Sequence, residues 1–312
     1  MRLGRAWFGC GLWLALGAVS LSWLTGCGDG TRIVLGQGSP ASDAEASSRA
    51  GQFGPPDLVT ELSSSSADDE KPTLTSDLLQ IYFVSTRAGG PGGGDVWTAS
   101  RATPADRWNA PTLVGALSSP QHEKSPAVSA DGLTLWVASD RPGGQGGLDI
   151  WVSTRTTVDG DWSTPVAVPE LSSPGDEIPR PPGAGGLVMP IARRAQPTDG
   201  YQTYAASRTA AGMPWMAPVR RDDVDTASID TDGFLTDDGL TLYLSSDRIH
   251  TGDQDLFVAT RHDSTAAFAA FTALAELDST HADRDPWVSP DGHQMFFVSD
   301  RSGSLKIYDA VR

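Results

Sequence analysis

The chain has 312 residues, with 23 lysines and arginines against 39 aspartates and glutamates, a formal charge of −16, and two cysteines. Such acidity argues against nucleic acid or an anionic bilayer surface as a partner, because both require a basic face. Cys10 and Cys27 both fall in the first 27 residues, so the rest of the chain has no disulfide, metal thiolate or thiol nucleophile.

At the N-terminus, Arg2 and Arg5 precede an apolar stretch from Ala6 to about Leu24, followed by Leu24-Thr25-Gly26-Cys27. Charge, length and a small-residue ending predict a signal peptide over residues 1–26. The apolar run is short and broken by glycine and serine, unlike a membrane span. Leu-Thr-Gly-Cys resembles the bacterial lipobox, which implies cleavage before Cys27 and lipidation of that cysteine. Gly28 in place of aspartate after it implies sorting to the outer membrane. Loss of Arg2 and Arg5 would take the charge from −16 to −18. Residues 27–52 are Gly-, Ser- and Asp-rich and read as a lipidated, flexible tether with a reach of roughly 25–30 Å.

FGPPDLVTEL (53–62) then reads as a lone outer strand, and after it a unit of 53 or 54 residues recurs. The arginine that follows the second strand of each unit falls at 87, 141, 194, 248 and 301. In SPAVSADGLTLWVASDRPGGQGGLDIWVSTR (125–155), strand A is 126–129, Asp131-Gly132 is a hairpin turn, strand B is 133–139 and strand C is 149–155. Trp162 opens strand D, about Thr164 to Leu171; Trp108, Trp215 and Phe268 stand in the same place elsewhere. No stretch after residue 52 has helical periodicity. Repeated four-stranded antiparallel units predict an all-β fold, a five-bladed β-propeller over residues 53–312. The last copy stops at Arg312 after its strand C, so strand 53–62 is expected to complete it and close the ring. Six blades is the competing count.

The Ser-Ala-Asp-Gly and Ser-Pro-Asp-Gly turns, the Ser-Asp-Arg ends of strand B and the Asp-Ile-Trp opening of strand C resemble the TolB-like, WD-type propeller repeats of bacterial envelope proteins. The resemblance covers about 260 residues. Copies 2, 4 and 5 follow it; copy 1 departs at Asp77-Leu78 and Thr86, and copy 3 at Ala184-Gly185 and Arg193. It implies a propeller fold and, with the lipobox, a lipid-anchored envelope module that binds or scaffolds a protein or peptide.

Eighteen residues before each arginine stands an acid: Asp69, Glu123, Asp176, Asp230 and Asp283 before Arg87, Arg141, Arg194, Arg248 and Arg301. Five carboxylates at a channel mouth could hold a hard cation such as calcium. The other reading is an ion pair in every blade, since guanidinium suits carboxylate. A residue needed for chemistry is needed once, whereas a residue that holds a blade recurs, and the recurrence favours ion pairs without cofactor or metal. Trp97, Trp151, Tyr204, Phe257 and Tyr308, each with an arginine four residues on, read as packing between blades.

Departures from the repeat point to a partner. Blade 3 carries Arg180, Arg193 and Tyr201 where its neighbours differ, making these the candidate partner-binding residues. His122, His250 and His281 share the loop face but lack a short-range ligand spacing. Glycoside hydrolysis needs two carboxylates ~5–10 Å apart, so a carbohydrate-active or glycan-binding propeller using the mouth acids is the alternative. No Gly-x-Ser-x-Gly elbow is present, and no residue is assigned a catalytic role.

Overall fold

The computed structural model describes residues 52–250 and 253–312. The predicted signal peptide, Cys27 and nearly all of the tether lie outside the described residues. Strand β1 is Asp57–Leu58. Blade 1 follows as β2 (Asp69–Leu74), β3 (Gln80–Ser85), β4 (Asp95–Ser100) and β5 (Thr112–Leu113). Blade 2 is β6 (Glu123–Val128), β7 (Thr134–Ser139), β8 (Asp149–Thr154) and β9 (Val166–Ala167). Blade 3 is β10 (Asp176–Pro179), β11 (Val188–Arg194), β12 (Gln202–Ser207) and β13 (Val219–Arg220). Blade 4 is β14 (Asp230–Leu235), β15 (Thr241–Ser246), β16 (Asp255–Thr260) and β17 (Thr272–Ala273), and blade 5 opens with β18 (Asp283–Val288), β19 (Gln294–Ser299) and β20 (Lys306–Val311).

Each set is one antiparallel four-stranded sheet, and the sheet order β1-β20-β19-β18 completes blade 5 with the N-terminal strand. Asp57 pairs with Asp309 and Leu58 with Tyr308, so the ring of five closes as the repeat count predicts. The closure is also chemical. Arg101, Arg155, Arg208 and Arg261 lie over Trp108, Trp162, Trp215 and Phe268 at 4.2–4.6 Å, and Arg312 lies over Phe53 at 4.5 Å. The first described residues thus supply the aromatic ring that the last copy lacks.

The apolar core lies between blades. Tyr82 and Val96 of blade 1 pack with Leu135 and Val137 of blade 2, and Leu62 joins the large cluster around Phe296 and Phe297. Outer strands are only two residues long, shorter than the stretch from Thr164 to Leu171 expected from sequence, and inner strands begin earlier than expected. Short outer strands leave little free edge for unwanted pairing.

Candidate functional site: the channel mouth

Each inner strand begins with its acid. Asp69 meets Arg87 at 2.5 Å, Glu123 meets Arg141 at 2.9 Å, Asp283 meets Arg301 at 2.6 Å, and Asp230 meets Arg248. A serine ties each pair together: the Nε of Arg87, Arg141, Arg248 and Arg301 donates to Ser85, Ser139, Ser246 and Ser299 at 2.8–3.0 Å. The same Nη2 that meets the carboxylate also donates to a carbonyl, Leu117 O for Arg141 and Leu277 O for Arg301. These pairs pin the loop before strand A to the loop after strand B within one blade. Ser139→Ala is expected to cost about 1–2 kcal/mol, since Ser139 Oγ both donates to Glu123 and accepts from Arg141 in a buried setting; urea unfolding measures it.

Blade 3 departs from the sequence alignment. Asp176 does contact Arg194 at 2.5 Å, but that pair lies outside the ring position. Glu177 and Arg193 fill it, 2.9 Å apart: Glu177 is fully buried, accepts from Ser173 N as Glu123 does from Ser119 N, and Arg193 reaches Leu171 O. Arg193 also lies 5.0 Å from the Tyr204 ring, as Arg87 does over Trp97 and Arg141 over Trp151. The physical reason is a missing bulge. In the other four blades strand A slips register after the acid, between Glu70/Thr73, Lys124/Ala127, Thr231/Phe234 and Arg284/Trp287, whereas β10 pairs with β11 without a slip. With one residue fewer to accommodate before the proline, Glu177 takes the place that Asp69 or Glu123 takes elsewhere.

The bulges re-aim side chains toward the axis. Lys71, Ser125, Asp232 and Asp285 stand at the same place in their blades with φ of 57°, 48°, 59° and 61°. Left-handed backbone at non-glycine residues costs of order 1–3 kcal/mol each and concentrates at functional positions. Lys71 Nζ donates to Asp232 Oδ1 and Asp285 Oδ1, both at 2.5 Å, across blades 1, 4 and 5. Arg180 is fully buried, and its Nη2 donates to Pro286 O of blade 5 at 2.6 Å. Arg284 Nη2 donates to Glu70 Oε2 at 2.8 Å. Arg180 Nε and Nη1, Arg284 Nε and Asp285 Oδ2 are buried without a hydrogen-bond partner.

Charge and burial set the protonation of this group. Burial opposes ionisation of Asp232, but Lys71 and then Arg180 outweigh it and hold its carboxyl well below the usual range. Burial pushes Asp285 up to about 6, with Lys71 opposing and the charge of Asp232 adding to the rise. Burial also works against charge on Lys71, yet Asp232 and Asp285 raise its pKa.

Above this cluster opens a cavity of about 510 Å³, lined by Glu70, Lys71, Lys124, Tyr201, Asp232 and Arg284 among others. It is on the face of the B–C and D–A loops. Of the three candidate partner-binding residues, only Tyr201 lines it. Arg180 is sealed beneath it, and Arg193 pairs with Glu177 in the ring and lines a separate cavity beside Tyr201. Tyr201 is half-buried, its hydroxyl bonds to Asp176 at 3.3 Å, and burial with the charge of Asp176 pushes it up to about 12.

The histidines do not converge: His122 pairs with Asp140, His250 with Asp255, and His281 with Thr280. Among the described residues no three His, Cys, Asp or Glu side chains form a metal-ligand group. Sequence reasoning missed Lys71, Asp232 and Asp285. Pro72, Pro126, Gly233 and Pro286 stand three residues after the acid in the bulged blades, but Pro179 holds the same place in the blade without a bulge, so sequence carried no decisive signal.

No family model and no curated protein matches the chain. Solved structures do. An α-L-arabinofuranosidase from Podospora anserina superposes with a TM-score of 0.52 at 11% identity, over 83% of this chain and 96% of that one. A protein of unknown function from Dyadobacter fermentans gives 0.51 at 13% identity, over 82% and 98%. A TolB candidate from Agrobacterium tumefaciens gives 0.46 at 16% identity, over 78% and 76%. Identities this low define the class, a five-bladed β-propeller, and nothing narrower.

Proposed function

We propose that this chain is a non-catalytic binding propeller, held at the cell envelope through Cys27, that takes part of an envelope protein or peptide into its channel mouth. The observation that carries this reading is the contrast between ring and axis. The ring repeats in every blade, while Lys71, Lys124, Arg180, Asp232, Arg284 and Asp285 occupy related axial positions with different chemistry. Lys71, Lys124, Asp232 and Arg284 border a cavity of the size that ligand sites have, roughly 300–1,000 Å³. The TolB-like repeats and the lipobox support an envelope setting.

One observation favours a carbohydrate-active reading: Asp232 and Asp285 are pushed in opposite directions, as an acid–base pair would be. Against it, Asp285 is fully buried and Lys71 lies between the two carboxylates, where a hydrolytic water would have to work. The reading is tested by cross-linking the full-length protein in intact cells. Wild type is expected to retain a protein partner that Lys124→Glu loses while both melt alike, because Lys124 is exposed at the cavity wall. Sugar release from aryl glycosides that disappears in Asp232→Asn would overturn the binding reading.

A further inference from the structure

Blade 3 breaks the repeat at its outer edge as well as at the axis. Around the aromatic residue that opens the outer strand, residues 209–219 read TAAGMPWMAPV and carry no charge. The matching stretches 102–112, 156–166 and 262–272 carry Asp106 and Arg107, Asp159 and Asp161, and His262 and Asp263. Met213 stands where blades 1, 2 and 4 have Arg107, Asp161 and Ala267, and Met216 where they have Asn109, Ser163 and Ala269.

The fold does not call for these two thioethers. Met216 N donates to Ser207 O at 2.8 Å, and Asn109, Ser163 and Ala269 make the same bond to Ser100 O, Thr154 O and Thr260 O at 2.9 Å. One backbone geometry therefore accepts four different side chains, alanine among them. Both methionines lie open to solvent, Met213 at 51% and Met216 at 53%, whereas Met189 and Met295 are fully buried in the core clusters. Trp215, between the pair, is buried: Arg208 covers its ring at 4.4 Å and Trp136 meets it edge-on at 6.1 Å. The described residues contain no cysteine, so their reversibly oxidisable side chains are the thioethers.

We propose that Met213 and Met216 form a reversible oxidation site whose substrate is a two-electron oxygen donor of the hydrogen peroxide class. A sulfur lone pair takes one peroxide oxygen, the O–O bond breaks, and methionine sulfoxide and water result. Each sulfur gives up two electrons, and the peroxide gains them. Sulfoxide reductases reverse the step at the expense of a dithiol, which leaves as a disulfide while the oxygen leaves as water. Sulfoxide is polar where thioether is not, so the reaction converts the one uncharged outer edge among blades 1 to 4 into a polar one. The core is untouched, because a buried sulfur meets an oxidant only when its blade opens. The site works whatever the channel mouth binds.

The test exposes full-length protein in detergent to graded hydrogen peroxide and follows each methionine by peptide mass spectrometry. Met213 and Met216 share the tryptic peptide 209–220, and fragment ions separate them from each other and from Trp215. Expected is oxygen uptake at both at least about tenfold faster than at Met189 and Met295, the gap that burial behind local opening sets. Melting temperature should stay that of the untreated protein, and the two epimer-specific sulfoxide reductases with dithiothreitol should restore both thioethers. The double variant Met213→Ala, Met216→Ala, which copies Ala267 and Ala269 of blade 4, should fold alike and take up no oxygen in that peptide. Equal rates at all four methionines would overturn the site, as would unfolding that tracks oxidation of the pair. Uptake that persists in the double variant would move the reaction to Trp215, and sulfoxides that resist the reductases on the folded protein would end the claim of reversibility.

Discussion

Glu123→Ala is expected to lower the free energy of unfolding by about 3–5 kcal/mol, the cost of leaving one partner of a buried ion pair alone. Glu123 is fully buried, and its carboxylate accepts from Arg141, Ser139 and Ser119. Alanine strands the Arg141 guanidinium with only Leu117 O and the serine to hold it. The sharper test is in blade 3. Glu177→Ala should match Glu123→Ala, whereas Asp176→Ala should cost about 1–2 kcal/mol, because Asp176 is partly exposed and loses chiefly its bond from Leu148 N and the outer pair with Arg194. Denaturant unfolding of the three variants decides the matter. Equal losses for Asp176 and Glu177 would sink the shifted register.

Lys71→Met should be about as damaging at pH 7, again about 3–5 kcal/mol, and its pH dependence identifies the cause. The two Asp oxygens that Lys71 bridges are no further apart than its two 2.5 Å bonds placed end to end, 5.0 Å. Without the cation, two buried carboxylates confront each other and one must take a proton. The penalty should therefore shrink as pH falls from 7 toward 5, and a second change, Asp285→Asn, should recover most of it. In the wild type the signs differ by residue. Asp285 binds its proton more tightly folded than unfolded, so its contribution falls as pH rises from about 4 through about 6. Asp232 is held low, so its contribution is fully present above about 4 and is lost only as pH falls below that. Melting temperature across this range, compared between wild type and Asp285→Asn, separates the two. An unchanged profile in Asp285→Asn would mean that Asp285 is not the group titrating near 6.

The repeat made the ring legible in sequence for four blades and mislaid it by one residue in the third. A gapless alignment keeps Pro72, Pro126, Pro179 and Pro286 in line and so places Asp176 with Asp69 and Glu123. Whether the residues between acid and proline bulge is decided by pairing with the next strand, which the alignment does not contain. Arg180 was legible as an oddity, a cation in a strand of apolar residues, but not as a buried plug. Tyr201 was the one blade 3 candidate that reached the cavity.

What the sequence determined by itself is what local order controls: the strand alternation, the turns, the five-fold period, and a first strand and last copy that complete one another. Each blade is written within some 50 residues of chain, so its pattern is visible without knowing the ring. The axial cluster is different in kind. Lys71 lies 161 residues from Asp232 and 214 from Asp285. They meet because three separate bulges turn three side chains inward and because closure of the ring brings blade 1 beside blade 5. Side-chain direction at a bulge and proximity across a closed ring are tertiary quantities. No spacing along the chain encodes them, and only the folded structure put two acids and a lysine in one place.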